Sequence, residues 1–250
     1  MPAGPFLSVV IPAYNAERLI EGSLQRVVAH LRAKPYSWDI IVVDDGGTDR
    51  TAELVTAAAR SEPRIHLLKT RHGGKGWAVK SGMLASTAEW RFMCDADLSM
   101  PPEQIDRFLD GGNDPGYDVG IASREAPGAR RIGEPVHRHL YGRAFNRVVR
   151  LLAVRGLDDT QCGFKMFRGE RAASLFGAQR LDGFGFDVET LFLARRSRLK
   201  IREVAIDWYY GRDSKMTLGR GGRAFIDILR VRWNALPPSP SRAWKSCGTN

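Results

Sequence analysis

Along the first part of the chain one pattern recurs four times: a short apolar, β-branched run that stops at a polar or glycine-rich cluster. Residues 6–11 run into Pro12-Ala13-Tyr14-Asn15, and residues 39–43 (DIIVV) into Asp44-Asp45-Gly46-Gly47. Residues 64–68 lead to the glycine-rich turn 72–76, and residues 89–94 (EWRFMC) to Asp95-Ala96-Asp97. Runs this short and this apolar are what buried parallel strands require. Between them the spacing turns helical. Leu19, Ile20, Leu24, Val27, Val28 and Leu31 form one face of a helix over 17–32. Thr48 or Asp49 is placed to cap a second helix ending near Ala59, and a third is expected over 77–86. Strands alternating with helices predict βαβ units, right-handed crossovers and a mainly parallel sheet, hence an α/β fold. Ligands of open parallel sheets bind beyond the carboxyl ends of the strands. Three of the clusters therefore share one edge, and that edge is the expected site.

With 250 residues, 43% of them hydrophobic, the chain can build a substantial core. The formal net charge of +10 first suggests any polyanionic partner. Its distribution narrows the choice. Residues 124–155 hold eight arginines against Glu125 and Glu134, and residues 212–245 hold eight Lys/Arg against Asp213 and Asp227. The remaining framework is slightly acidic, unlike a uniformly basic nucleic-acid binder. Stacking platforms and a recognition motif are also missing, so nucleic acid is not the expected partner. Cys94, Cys162 and Cys247 are too few and scattered for a disulfide framework or a structural zinc site, which fits a reducing compartment. The N-terminal MPAGPFLSVVIPAYN lacks a basic n-region, so no signal peptide is expected. No apolar stretch is long enough to span a bilayer.

Asp95-Ala96-Asp97 is the motif with the most chemistry. Two carboxylates one residue apart in a loop can grip Mg²⁺ or Mn²⁺ together with phosphate oxygens. The competing reading is an Asx turn or helix cap. The Asp44-Asp45 loop on the same edge favours metal and nucleotide binding. Asp44 offers a carboxylate to a nucleobase N–H, although an ordinary capped turn is the simpler reading of that loop taken alone. Gly73-Gly74-Lys75-Gly76 is not a P-loop, since Trp77 stands where Ser or Thr is needed. No G-x-G-x-x-G follows the first strand, which disfavours a dinucleotide fold. Two later stretches are amphipathic. Tyr141, Phe145, Val148 and Leu152 share a helical face beside Arg143, Arg147 and Arg150, and Phe225, Leu229, Trp233 and Leu236 lie beside Arg223 and Arg230. Such helices either pack on a core or lie in a membrane interface. Two in one chain favour the interface, with cations against anionic headgroups.

Taken together, these residues resemble the family-2 glycosyltransferases, specifically the polyprenyl-phosphate (dolichyl-phosphate) sugar synthases. VVIPAYNAE (9–17), IVVDDGGTD (41–49), GGKGWAVKSG (73–82), CDADLSMPPEQI (94–105), ASR (122–124) and DTQCGFKMF (159–167) occur in that family's order. GFDVETLFLA (185–194) and EVAIDWYYGRDSK (203–215) look most like the dolichyl-phosphate β-glucosyltransferase branch. The resemblance implies a GT-A-type nucleotide-binding fold with C-terminal amphipathic interfacial helices. It implies one domain over 1–236, with a donor-binding half of about 1–125, an acceptor and membrane-facing half of about 126–236, and a flexible tail over 237–250. It also implies residue roles. Pro12, Tyr14, Glu17 and Asp44 would line the nucleoside pocket, with Lys75 near the nucleotide. Asp95 and Asp97 would bind metal and donor. Arg124 and Arg138 would hold the acceptor phosphate, and Lys215 the donor diphosphate. Gly47 departs from the family's usual D-D-G-S, and Ser99 stands where some mannosyl relatives have Gln.

The reaction can be argued on chemical grounds. A phosphomonoester acceptor, with a second pKa of about 6, is largely ionised near neutrality and needs no strong base. It needs cations that orient it for in-line attack, and a metal on the leaving diphosphate. Asp159 is the one candidate base, and an orienting or metal-proximal carboxylate is the preferred reading, with a structural turn before Gly163 as the other. The expected activity is inverting transfer of a hexose, glucose from UDP-glucose, to a polyprenyl or dolichyl monophosphate by single displacement. The expected place is the cytoplasmic side, peripheral to an anionic membrane. The alternatives are the same chemistry with GDP-mannose, a soluble acceptor, or a non-catalytic membrane or nucleic-acid binder.

Overall fold

The computed structural model describes residues 4–109, 112, 114–134, 154 and 156–210. In chain order the elements are β1 (Leu7–Ala13), α1 (Ile20–Arg32), β2 (Trp38–Asp44), α2 (Thr51–Ser61), β3 (Ile65–Lys69), α3 (Lys75–Ala85) and β4 (Trp90–Met93). A 3-10 helix over Pro102–Phe108 follows, then β5 (Val119–Ser123), β6 (Arg130–Ile132), β7 (Lys165–Arg168), α4 (Gly169–Ala178), α5 (Phe186–Arg196), β8 (Ile201–Ala205) and β9 (Asp207–Tyr209). Seven strands form one sheet in the order β3-β2-β1-β4-β7-β5-β8, and β6 and β9 form a separate two-stranded ribbon.

Alternate residues of β1 face opposite layers, which explains its unbroken apolar run. Leu7, Val9 and Ile11 pack with Ile20, Leu24, Val27 and Leu31 of α1. Val10 faces the other layer, with Val79 and Met83 of α3 and Val188 and Leu191 of α5. The sheet is thus covered on both faces, the α/β arrangement that the alternation predicts.

Three differences from the sequence reading have physical causes. Strand β1 does not stop at Pro12 but runs through it to Ala13, pairing Pro12 with Val43 and Ala13 with Asp44. Pairing with β4 ends at Val10 opposite Met93, so the missing proline N–H falls where no β4 partner is waiting. Helix α1 starts at Ile20 rather than 17, because the Ala16 carbonyl accepts from the Leu19 and Ile20 amides and the Ala16 amide donates to Thr51 Oγ1 at 2.8 Å. Helix α3 starts two residues early at Lys75, where Gly74, at φ +103, supplies a backbone turn that L side chains rarely adopt.

The sheet is mostly parallel but not wholly so. Strand β7 is antiparallel to both neighbours, with Met166 opposite Phe92 of β4 and Gly120 of β5. Its reversed direction matters for position. Lys165, where β7 begins, lies opposite Met93, where β4 ends. Residues 159–164 therefore arrive at the edge already occupied by the ends of β1, β2 and β4.

Candidate active site

At the end of β2, neighbouring carboxylates divide their work. Asp44 is buried, and its Oδ1 accepts from the Gly47 amide at 3.1 Å. Asp45 reaches across to the glycine-rich turn, accepting from the Gly73 and Gly74 amides at 2.8 Å each. The ring of His72 comes within 2.9 Å of the same carboxylate and stacks on Tyr14 with centroids 4.3 Å apart. Tyr14 is among the exposed large apolar side chains. Asn15, at φ +47, accepts from the Thr48 amide at 2.8 Å, and Glu17 accepts from the Arg50 amide at 3.1 Å. Pro12, Tyr14, Glu17 and Asp44 are thus held beside one another by bonds between the loops that follow β1 and β2.

Lys75 sits in the first turn of α3 and places its ammonium 2.7 Å from Asp95 Oδ1 at the end of β4. Burial alone would pull the Lys75 pKa down. The charges of Asp95, Asp187 and Asp97 outweigh it, and the ammonium is held above the usual lysine value. Asp97 is exposed and accepts from the Ser99 amide at 3.0 Å. The other side of Asp95 meets backbone: a Cβ placed on Gly163 would lie 1.8 Å from Asp95 Oδ2, so no side chain fits there. Sequence reasoning treated Gly163 only as part of a turn. The signal available was a glycine just before a strand, which marks close backbone approach.

Beneath Lys75 lies a second ion pair, between Lys165 Nζ and Asp187 Oδ1 at 2.5 Å, both buried. Lys165 also donates to the Cys162 carbonyl at 2.6 Å. Burial holds Asp187 above the ordinary carboxylate value, with Lys165 and Lys75 opposing it. Neither Lys165 nor Asp187 was singled out from the sequence. Charged residues almost never lie fully buried unless paired, and the partners here are distant in the chain.

Arg124, just after β5, meets Asp159 in a two-pronged pair. The Nε–Oδ2 distance is 2.6 Å, Nη2–Oδ1 is 2.9 Å, and the Arg124 amide adds 3.1 Å to Oδ2. Asp159 is 0% exposed. Burial would raise its pKa, but Arg124 holds it below the ordinary carboxylate value. The same pairing holds Arg124 above the usual arginine value against its own burial. With both oxygens engaged and its proton affinity lowered, Asp159 is poorly placed to act as a base. Its geometry instead fixes the guanidinium, which also lies over the Trp208 ring at 5.4 Å.

The ribbon is tied to this edge. Asp207 of β9 receives Arg130 at 2.6 Å and Arg107 at 3.1 Å, and exchanges short hydrogen bonds with Gln104 of the 3-10 helix. The Tyr209 amide donates to the Ser99 carbonyl at 2.9 Å, so β9 braces the loop that carries Asp97.

Of the expected site residues, Pro12, Tyr14, Glu17, Asp44, Asp95, Asp97, Arg124 and Asp159 lie on loops or strand ends along this one edge, and Lys75 lies there in the first turn of α3. Arg138 and Lys215 lie outside the described residues, as do the amphipathic stretches 138–152 and 225–236 and the tail 237–250. Among the described residues, no group of three or more His, Cys, Asp or Glu could hold a metal by itself. No described helix is long and apolar enough to cross a membrane.

Residues 8–172 match the model of glycosyl transferase family 2. The chain is 34% identical to a dolichyl-phosphate beta-glucosyltransferase of Dictyostelium discoideum, over 92% of this chain and 75% of that one. It is 33% identical to dolichyl-phosphate beta-glucosyltransferase ALG5C of Trichomonas vaginalis, over 92% and 72%. The Saccharomyces cerevisiae dolichyl-phosphate beta-glucosyltransferase is 30% identical over 85% and 70%. Among solved structures, glucosyl-3-phosphoglycerate synthase of Mycobacterium tuberculosis, in complex with Mn²⁺, uridine diphosphate and glucosyl-3-phosphoglycerate, superposes with a TM-score of 0.69. That match covers 95% of this chain and 82% of the other at 19% identity, and bears on the fold alone.

Proposed function

The chain belongs to glycosyl transferase family 2, and we propose that it transfers glucose from UDP-glucose to a dolichyl or other polyprenyl monophosphate, with inversion at the anomeric carbon. The observation that carries this reading is the sustained identity to dolichyl-phosphate beta-glucosyltransferases over about nine-tenths of the chain. The geometry of the strand-end edge supports it.

A hard divalent cation fits the donor set. Asp95 and Asp97 offer oxygen ligands only, and since among the described residues no group of three or more His, Cys, Asp or Glu could hold a metal, the remaining positions suit phosphate oxygens and water. When bound, such an ion neutralises charge on the diphosphate leaving group. The chain's own residues do the rest. Pro12, Tyr14, Glu17 and Asp44 bound the nucleoside, with the Tyr14–His72 stack as its aromatic wall. Lys75 adds a fixed positive charge beside the diphosphate. Arg124, held rigid by Asp159, presents a planar cation to the acceptor phosphate. That phosphate is already an oxyanion near neutrality, its second pKa being about 6. Its oxygen forms the new bond to the anomeric carbon as the bond to the diphosphate breaks on the opposite face, so an α-linked donor gives a β-linked product. No proton need be removed, which accords with an Asp159 engaged by Arg124. Arg138 and Lys215 are proposed as further cations for the acceptor and donor phosphates. The basic amphipathic stretches are proposed to hold the enzyme against an anionic membrane on the cytoplasmic side.

The test is direct. Purified protein is incubated with Mn²⁺ or Mg²⁺, polyprenyl phosphate and labelled UDP-glucose or GDP-mannose, and lipid-linked label is counted. Lipid-linked glucose from UDP-glucose is expected. Preferential labelling from GDP-mannose would overturn the sugar assignment, and undiminished transfer without lipid phosphate would overturn the acceptor.

A further inference from the structure

We propose that Lys75 is an internal counter-ion that makes metal loading depend on the nucleotide: a divalent cation gains Asp95 only as Lys75 lets go of it, and the donor diphosphate is what draws Lys75 away. This rests on the reading of Asp95 and Asp97 as metal ligands.

The geometry leaves Asp95 little choice. On one side its Oδ1 is 2.7 Å from the Lys75 ammonium. On the other, Oδ2 is pressed against the Gly163 backbone, where even a methyl group would overlap it at 1.8 Å. A cation that takes this carboxylate therefore competes for it with the Lys75 ammonium. Lys75 stands in the first turn of α3, a helix whose Ala78, Val79 and Met83 are fully packed, so its backbone is anchored while its partly exposed side chain can still turn. An arriving cation therefore meets a carboxylate already paired with an ammonium.

A displaced Lys75 still favours an anion, because a partly buried charge is costly to leave unpaired. Asp187 is close enough to act electrostatically on Lys75, and its Oδ1 is pinned by Lys165, itself tethered to the Cys162 carbonyl. With Asp187 Oδ1 already engaged by Lys165, a phosphate oxygen of the diphosphate is the replacement anion proposed for Lys75. A nucleoside diphosphate offers Lys75 phosphate oxygens in exchange for Asp95 and offers the cation further oxygen ligands at the same moment. Metal and nucleotide thus help each other in, whereas the metal alone must break the ion pair unaided. The coupling is reciprocal by linkage, so the metal strengthens nucleotide binding by the same factor.

The experiment measures Mn²⁺ binding directly, by the electron paramagnetic resonance signal of free Mn²⁺, with and without UDP and with no acceptor present. In the wild-type chain UDP is expected to tighten Mn²⁺ by roughly tenfold or more, the scale of a hydrogen bond to a charged group. In Lys75→Met, Mn²⁺ alone is expected to bind roughly tenfold tighter than in wild type, and the gain from UDP to shrink. Lys75→Arg, which keeps the charge, should keep the weak binding of Mn²⁺ alone. If the Met variant is unstable, Mn²⁺ without nucleotide should raise its Tm more than that of wild type, because the ion takes the lysine's place. Unchanged or weaker Mn²⁺ binding in Lys75→Met, with no extra Tm gain, overturns the proposal. Asp97→Asn separates the two levels: if it leaves Mn²⁺ binding intact, the metal-ligand reading itself has failed.

Discussion

Carboxylates on the two sides of the sheet edge are used in opposite ways. Beyond β1 and β4, Tyr14 and Asp97 stay exposed, and among the described residues Asp97 accepts only the Ser99 amide. Beyond β5 and β9, acids are taken up by arginines: Asp159 by Arg124, Asp207 by Arg130 and Arg107, and Glu125 and Glu134 by Arg131. At Asp97 the first arrangement leaves oxygens for a ligand, while Asp44, Asp45 and Asp95 beside it are tied to backbone amides and to Lys75. The second immobilises guanidinium groups, whose planar donors then face an acceptor at fixed angles. The proposed site, with a metal on one side and a phosphate on the other, uses this asymmetry. It predicts that loss of Asp97 will be felt as lost catalysis and loss of an arginine-bound acid as lost stability.

The largest effect on stability is expected at Asp159. Asp159→Asn strips the counter-charge from Arg124, whose side chain is 20% exposed, and should cost about 2–3 kcal/mol in urea unfolding, short of the penalty for a fully buried pair. A cost no greater than the roughly 1 kcal/mol of an exposed pair would erase the distinction. Next, Asp97→Ala should lower glucose transfer roughly 100- to 1,000-fold while leaving the urea midpoint in place, because only one exposed amide bond is lost. Comparable losses of stability at Asp97 and Asp159 would break the comparison.

Acid should reach the arginine-bound side at a defined pH. Arg130 and then Arg107 hold the Asp207 carboxyl down to about 2 from its ordinary 3.8. The folded carboxyl ionises at lower pH than the unfolded one, so its contribution is complete above about pH 5 and lost as pH falls toward about 2. The contribution at stake is about 2 kcal/mol. Asp207→Asn should flatten that part of the stability profile, and an unchanged slope would show that the pair does not bear on folding. The smallest effect belongs to Tyr14. Tyr14→Ala should raise the donor KM by roughly three- to tenfold, as expected for one lost aromatic contact, with kcat nearly constant. A fall in kcat at constant KM would remove Tyr14 from the nucleoside wall.

The donor side was legible because its signals are local. The apolar runs of β1, β2 and β4 each end at their own cluster, and the periodicity of α1 names its buried face almost residue by residue. What could not be read were pairings across the chain. Nothing near Lys165 marks Asp187 as its partner, and Gly163 looks like any turn glycine until Asp95 is seen against it. The reversal of β7 was equally silent, since a four-residue strand of sequence KMFR reads the same in either direction. Asp159 stood out as the one candidate base, with an orienting or metal-proximal carboxylate the preferred reading, and only its two-pronged contact with Arg124 shows where its oxygens are committed.

That reversal has a consequence for how the protein comes into being. β7 sits between β4 and β5, so the strand completing β4's second flank is made long after β4 itself. A chain released after residue 125 would end with β4 exposing an unpaired edge, an invitation to pair with another molecule. During synthesis the nucleotide half therefore has to wait, its sheet incomplete, until Lys165–Arg168 emerges and is threaded into place. Such non-local pairing makes for slow folding. Cutting the chain near residue 125 should yield two aggregation-prone fragments rather than two working modules, recoverable only when both are refolded together.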